Sequence, residues 1–154
     1  MYYMDTSSLI TAWREQYPPD VFPSLWVNLD RLIRETRLVS PIDVFYELEK
    51  GGDALFRWVK ERRGMFIEPD NEIQNIVRHL VNKFPQIIPQ FSHTGVWADP
   101  WVVALAKVNG AIVVTEEKQA SSNATRIKIP NMCIDLGVEH INFLELIRRE
   151  SWNF

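Results

Sequence analysis

The sequence predicts an α/β fold in a single domain spanning residues 1–154. Two observations carry this. Short apolar, β-branched segments alternate with helical patterns along the whole chain. Each of about five strand candidates is separated from the next by a helix or a long connection, which favours a mainly parallel sheet. At 18.0 kDa with 46% hydrophobic residues the chain can bury a core without cross-links.

Tyr2–Met4 reads as the first strand, followed by Asp5-Thr6-Ser7-Ser8, a run of helix-capping residues, and a helix over residues 9–17. Pro18-Pro19 stops it. Ser24 is the expected cap of the next helix, whose apolar face is Leu25, Leu29, Leu32 and Ile33. Residues 38–40 are the second strand, and a helix over 43–50 is stopped by Gly51-Gly52. Asp53 caps a helix over 54–63, and residues 65–67 form the third strand. Asp70 opens a helix with Ile73, Ile76, Val77, Leu80, Val81 and Phe84 on one face. Residues 91–95 read as an exposed loop. Asp99-Pro100 starts an apolar helix over 101–108, closed by Gly110. Residues 111–115 are a continuous β-branched run, a buried strand. A polar loop over 121–125, a fifth strand over 140–143 and a terminal helix over 144–150 complete the chain.

The bulk properties exclude several classes. A lone cysteine, Cys133, forbids an internal disulfide and a cysteine-rich zinc site, and its apolar surroundings suit a buried side chain. A net charge of −3 argues against a surface that clings everywhere to nucleic acid. The apolar run 101–106 is too short to span a bilayer. Met1 is followed directly by Tyr2-Tyr3-Met4-Asp5, so no secretory signal is expected and a cytoplasmic location is.

The acids carry the chemical expectation. Asp5 and the pair Glu116/Glu117 close strands, Asp99 opens a helix, and Glu47 lies one turn into the helix after the second strand. In an open parallel sheet, ligands bind beyond the carboxyl ends of the strands, near the reversal of strand order. Carboxylates gathered there repel one another unless a cation compensates. Mg²⁺ or Mn²⁺ prefers such oxygen ligands and supports phosphate chemistry.

These residues resemble the PIN domain family. The resemblance rests on Asp5-Thr6-Ser7 after strand one, Glu47-Leu48 in a short helix, Ala98-Asp99 opening an apolar helix, and Thr115-Glu116-Glu117 after a Val-Val strand. It spans nearly the whole chain and is strongest to bacterial and archaeal PIN-like proteins akin to the toxins of type II toxin–antitoxin systems. The resemblance implies a three-layer α/β/α fold with strand order 3-2-1-4-5 and Mg²⁺- or Mn²⁺-dependent endoribonuclease activity. Carried over by position, Asp5, Glu47 and Asp99 match the first three acids. Glu117 matches the fourth by spacing, with Glu where the family usually has Asp, and Glu116 is its rival. Ser7 and Thr115 would support the carboxylates. An antitoxin protein and a homodimer are the implied partners, with RNA as substrate. The Glu-for-Asp change leaves an alternative, a catalytically impaired RNA- or protein-binding module.

Basic residues could contact phosphates: Lys60, Arg62 and Arg63, then Lys118, Arg126 and Lys128, then Arg148 and Arg149. Solvated helix ends account for each more simply. Trp97 and Trp101 flank Asp99 and could stack a base, although Trp101 suits the core better. His93, a lone loop histidine, is a weaker metal candidate.

Overall fold

Tyr2–Met4 forms β1, and its residues are all buried, as a strand with neighbours on both sides requires. The computed structural model describes residues 1–85, 97–121, 123–124 and 127–154. The loop expected at 91–95, His93, Arg126 and part of the polar loop 121–125 lie outside the described residues.

β1 pairs in parallel with β2 (Leu38–Pro41) on one side and with β4 (Ile112–Val114) on the other. β3 (Phe66–Ile67) adds beyond β2, and β5 (His140–Ile141) beyond β4, both parallel. The order is β3-β2-β1-β4-β5, the order that the resemblance implies. From β1 the chain steps to β2 and β3 on one side, then crosses back to β4 and β5 on the other. Right-handed crossovers therefore place the two groups of helices on opposite faces. The first group is α1 (Thr6–Thr11), α2 (Pro23–Arg34), α3 (Ile42–Gly51) and α4 (Ala54–Lys60). The second is α5 (Asn71–Lys83), α6 (Asp99–Asn109) and α7 (Ile129–Leu136). The chain ends with α8 (Phe143–Arg149). The reversal of direction falls between β1 and β4, so a crevice opens beyond their carboxyl ends.

α6 is the central helix. Val102, Val103, Ala104, Leu105 and Ala106 are all buried, and the helix packs across β1, β2 and β4 between α5 and α7. Gly110 ends it in the left-handed conformation at φ +58°, where a side chain would be strained. No helix among the described residues is long and apolar enough to cross a membrane.

Several boundaries differ from the sequence expectation, each for a local reason. The helix expected at 9–17 starts at Thr6, because the Asp5 carboxylate accepts from the Ser8 amide and caps it there. Its second half, Ala12–Gln16, is a π-helical turn closed by Tyr17 N donating to Ala12 O at 2.8 Å. α2 starts at Pro23, so Ser24 lies inside the first turn and caps nothing. Its N-terminus has no side-chain cap; proline in the first turn removes one of the unpaired amides. α4 ends at Lys60 rather than residue 63, and a 3₁₀ turn over Arg63–Met65 delays β3 to Phe66. β4 is one residue shorter at each end than expected, and β5 ends at Ile141 because Asn142 accepts from Glu145 N at 2.8 Å and starts α8 at Phe143. α7 has no counterpart in the sequence expectation. It is an eight-residue helix with Ile129, Pro130, Met132 and Cys133 buried but Ile134 exposed, too short to show a clear helical period. Its one readable signal is Gly137, which closes it at φ +66°.

Candidate functional site

Asp5 sits at the crevice between β1 and β4 and is almost wholly buried, at 2% exposure. Its backbone amide donates to Val114 O at 3.2 Å, which fixes the residue against the end of β4. Its carboxylate accepts from the Ser8 amide (2.8 Å), the Ser7 hydroxyl (2.6 Å) and the Thr115 hydroxyl (2.7 Å). Burial pushes its carboxyl above the ordinary range, and the bonds from Ser7, Thr115 and Ser8 pull part of the way back. None of those donors carries a charge.

Glu47 turns inward from α3. One carboxylate oxygen accepts from the Thr6 hydroxyl, and the other accepts from the Ala98 amide at 2.9 Å. Thr6 follows Asp5 and Ala98 precedes Asp99, so a single run of hydrogen bonds gathers the stretches that carry the three acids. Asp99 is the first residue of α6, where the partial positive charge of the helix end favours a carboxylate. One turn before Glu47, half-buried Asp43 has a raised carboxyl, chiefly from burial and partly from the Glu47 charge. The sequence reading did not single it out, and its i, i+4 spacing to Glu47 is the signal.

Glu116 and Glu117 go elsewhere. The Glu116 carboxylate accepts from Phe143 N at 2.8 Å, at the start of α8, and from Gln16 at 3.4 Å. The Glu117 carboxylate accepts from Ile129 N at 2.9 Å, at the start of α7, and faces Lys128 Nζ at 4.0 Å. A cleft of about 310 Å³ opens beside them, lined by Thr115, Glu116, Glu117, Lys118, His140 and Asn142. Among the described residues, no three Asp, Glu, His or Cys side chains stand together as a metal-holding group.

The donor set nonetheless suits Mg²⁺ or Mn²⁺ by chemistry and by charge. The groups gathered at Asp5 and Glu47 are carboxylates and hydroxyls, the hard oxygen ligands of those ions and not the thiolates and imidazoles of zinc. Among the described residues Asp5 is a buried carboxylate that meets only uncharged donors, so a cation would add to its compensation.

Other expected residues are occupied by the fold. Arg62 donates to Asp30 at 2.7 Å and lies 4.1 Å above the Trp58 ring, while Arg63 lies 4.4 Å above Phe45. Arg149 pairs with Glu139 at 2.5 Å and Arg148 with Glu145 at 3.7 Å. Lys60 and Lys118 are exposed. Trp97 and Trp101 both pack, partly buried, against the core. Cys133 is buried and its thiol is pushed up to about 12, mainly by burial and also by the Asp5 charge, so it is no nucleophile. Sequence reasoning also missed Thr6, Ser8 and Ser40. Ser8 donates to Val114 O at 3.0 Å and Ser40 to Met4 O at 2.7 Å, tying three strand ends together. The capping run after β1 was the available signal for the first two.

The fold is similar to that of FitAcB from Neisseria gonorrhoeae, with 18% identity, 92% of this chain and 97% of that chain covered, and a TM-score of 0.55. VapBC2 from Rickettsia felis, bound to a DNA fragment from their promoter, gives 15% identity, 93% and 99% coverage and a TM-score of 0.49. No curated protein matches the chain. A family model described as a domain of unknown function, DUF4411, matches residues 2–154, and the chain belongs to that family.

Proposed function

We propose that this chain is a Mg²⁺- or Mn²⁺-dependent endoribonuclease of the PIN kind, the toxin of a toxin–antitoxin pair acting in the cytoplasm. The carrying observation is Asp5, a buried carboxylate at the switch point of a parallel sheet with no cationic partner among the described residues. Supporting it are the shared strand order, the fold similarity to FitAcB and the family-like order of the acids. Asp5, Glu47 and Asp99 would hold the ion. When bound, the ion would supply Lewis-acid activation for hydrolysis of an RNA phosphodiester.

The residues of the chain do the rest. Ser7, Ser8 and Thr115 hold the Asp5 carboxylate in one orientation through bonds of 2.6–2.8 Å. Thr6 and Ala98 hold Glu47, and any cation at Glu47 competes with those two donors. Lys118, exposed at the adjoining cleft, would meet a phosphate of the substrate strand. An antitoxin and a second copy of the chain are the proposed protein partners, on the strength of the resemblance alone.

The test is Mn²⁺ titration by calorimetry together with cleavage of single-stranded RNA. Wild type should bind Mn²⁺ and cut, whereas Asp5→Asn and Asp99→Asn should fold and do neither. Full cleavage by either purified variant would refute the proposal. The second reading, an impaired RNA- or protein-binding module, is favoured by one observation: both acids at the fourth position are engaged with helix amides. RNA binding without Mn²⁺ uptake at millimolar metal selects that module.

A further inference from the structure

We infer that Glu117 is a positioning residue, which ties α7 to the end of β4 and aims the Thr115 hydroxyl at Asp5, and not a ligand. The inference rests on the metal-binding reading of Asp5 given above.

Three hydrogen bonds form a continuous path. Ile129 N donates to the Glu117 carboxylate at 2.9 Å, Glu117 N donates to Thr115 Oγ1 at 3.1 Å, and Thr115 Oγ1 donates to Asp5 Oδ2 at 2.7 Å. A hydroxyl has one proton. With the Glu117 amide occupying an acceptor position on Thr115, that proton is left to point at Asp5. The backbone amide of residue 117 therefore fixes the direction of a bond that Asp5 depends on, and the Glu117 side chain acts on it by holding that amide in place through Ile129.

The identity of residue 117 follows from the same geometry. The first amides of a helix lack internal partners, and a carboxylate there gains both the hydrogen bond and the helix dipole. Glu117 and Ile129 are 12 positions apart in sequence, and the carboxylate of a glutamate reaches one methylene farther than that of an aspartate. Lys128 Nζ at 4.0 Å adds a favourable charge on the same side. A second fastening lies nearby: Asn131 accepts from Ala120 N (2.9 Å) and Lys128 N (3.2 Å), and donates to Ala120 O (3.1 Å). The chain leaving β4 is thus pinned to α7 by two side chains, Glu117 and Asn131. α7 in turn carries Cys133, whose thiol feels the Asp5 charge.

The experiment compares Glu117→Gln, Glu117→Asp, Glu117→Ala and Asp5→Asn in the full chain. Mn²⁺ affinity is read by calorimetry, and amide hydrogen exchange is read at Ile129 and Glu117. Glutamine keeps an oxygen for Ile129 N–H, so Glu117→Gln should hold wild-type exchange and Mn²⁺ affinity within about twofold. Aspartate keeps the charge but loses the reach. Glu117→Asp and Glu117→Ala should both speed exchange at Ile129 by at least about fivefold and weaken Mn²⁺ binding together. A Glu117→Gln variant that loses Mn²⁺ as severely as Asp5→Asn would make Glu117 a ligand and overturn the inference. So would wild-type exchange at Ile129 in Glu117→Ala. Wild type that binds no Mn²⁺ refutes the metal reading separately, while exchange still decides whether Glu117 holds α7.

Discussion

The ends of β1 and β4 lie side by side, and each carries acids, but the two sets are compensated differently. Asp5, beyond β1, accepts from two hydroxyls and one amide, all neutral, in a buried position. Glu116 and Glu117, beyond β4, accept from the first amides of α8 and α7. All three carboxylates sit on a helix start, since Asp5 caps α1 through the Ser8 amide; what sets Asp5 apart is its near-complete burial, where one helix end and two hydroxyls do not make up for lost solvent. Proximity to a crevice therefore does not make acids equivalent. The β1 edge has the electrostatic character of a cation site, and the β4 edge has that of a clamp.

The largest expected effect separates the two edges directly. Asp5→Asn should lose Mn²⁺ affinity beyond the roughly 10–100-fold that outer-shell changes cost, and RNA cleavage with it. Its fold should stay intact, because Ser7 and Thr115 can rotate their hydroxyls to suit an amide. Calorimetry and circular dichroism on the same sample check both halves; a collapsed fold would make Asp5 a structural acid. Next in size is Glu47→Gln. Losing one carboxylate that the proposal uses should cost Mn²⁺ affinity about tenfold. The melting temperature should change little, since Gln still serves Ala98 N and Thr6 can accept instead of donate. Unchanged Mn²⁺ binding would remove Glu47 from the site.

Glu117→Ala probes the clamp. It leaves Ile129 N–H without its acceptor and should cost about 1 kcal/mol, comparable to losing a helix cap. For a chain of this size that is a drop of roughly 2–4 °C in Tm. No change by calorimetric scanning would mean that solvent replaces Glu117 freely.

The smallest effect is one of pH, in the absence of metal. Burial raises the Asp5 carboxyl above its ordinary value of 3.8. A raised acid favours the protonated folded state. Its contribution is fully present below the ordinary value and is lost as pH rises through the raised folded value. Asp5→Asn has no such loss. The Tm of that variant minus that of wild type should therefore grow as pH climbs upward from 3.8 through that window. A difference that shrinks over this range would mean that Asp5 is stabilised as an anion without any cation.

Much of the architecture was legible beforehand. The alternation of β-branched runs and capped helices gave the parallel sheet, and Asp53 and Asp70 cap their helices as read, accepting from Phe56 N and Ile73 N at 3.0 Å. α7 was not legible, because eight mostly apolar residues show no period, and Ser24 misled because a proline beside it starts the helix first. For the candidate site, the residues that the chain pointed to make hydrogen bonds with one another or with their neighbours: Ser7 and Thr115 donate to Asp5, and Glu47 accepts from Thr6 and Ala98. The partners of Glu116 and Glu117 were beyond it: they are 27 and 12 residues away in sequence, and no local pattern encodes such contacts.

By itself, then, the sequence determined the elements other than α7, the parallel pairing and the positions of the acids at strand and helix ends, since these follow from propensity and periodicity. Only the tertiary structure decided what each carboxylate meets. That depends on which helix starts the crossovers bring to the β4 edge, and on the burial that leaves Asp5 among neutral donors.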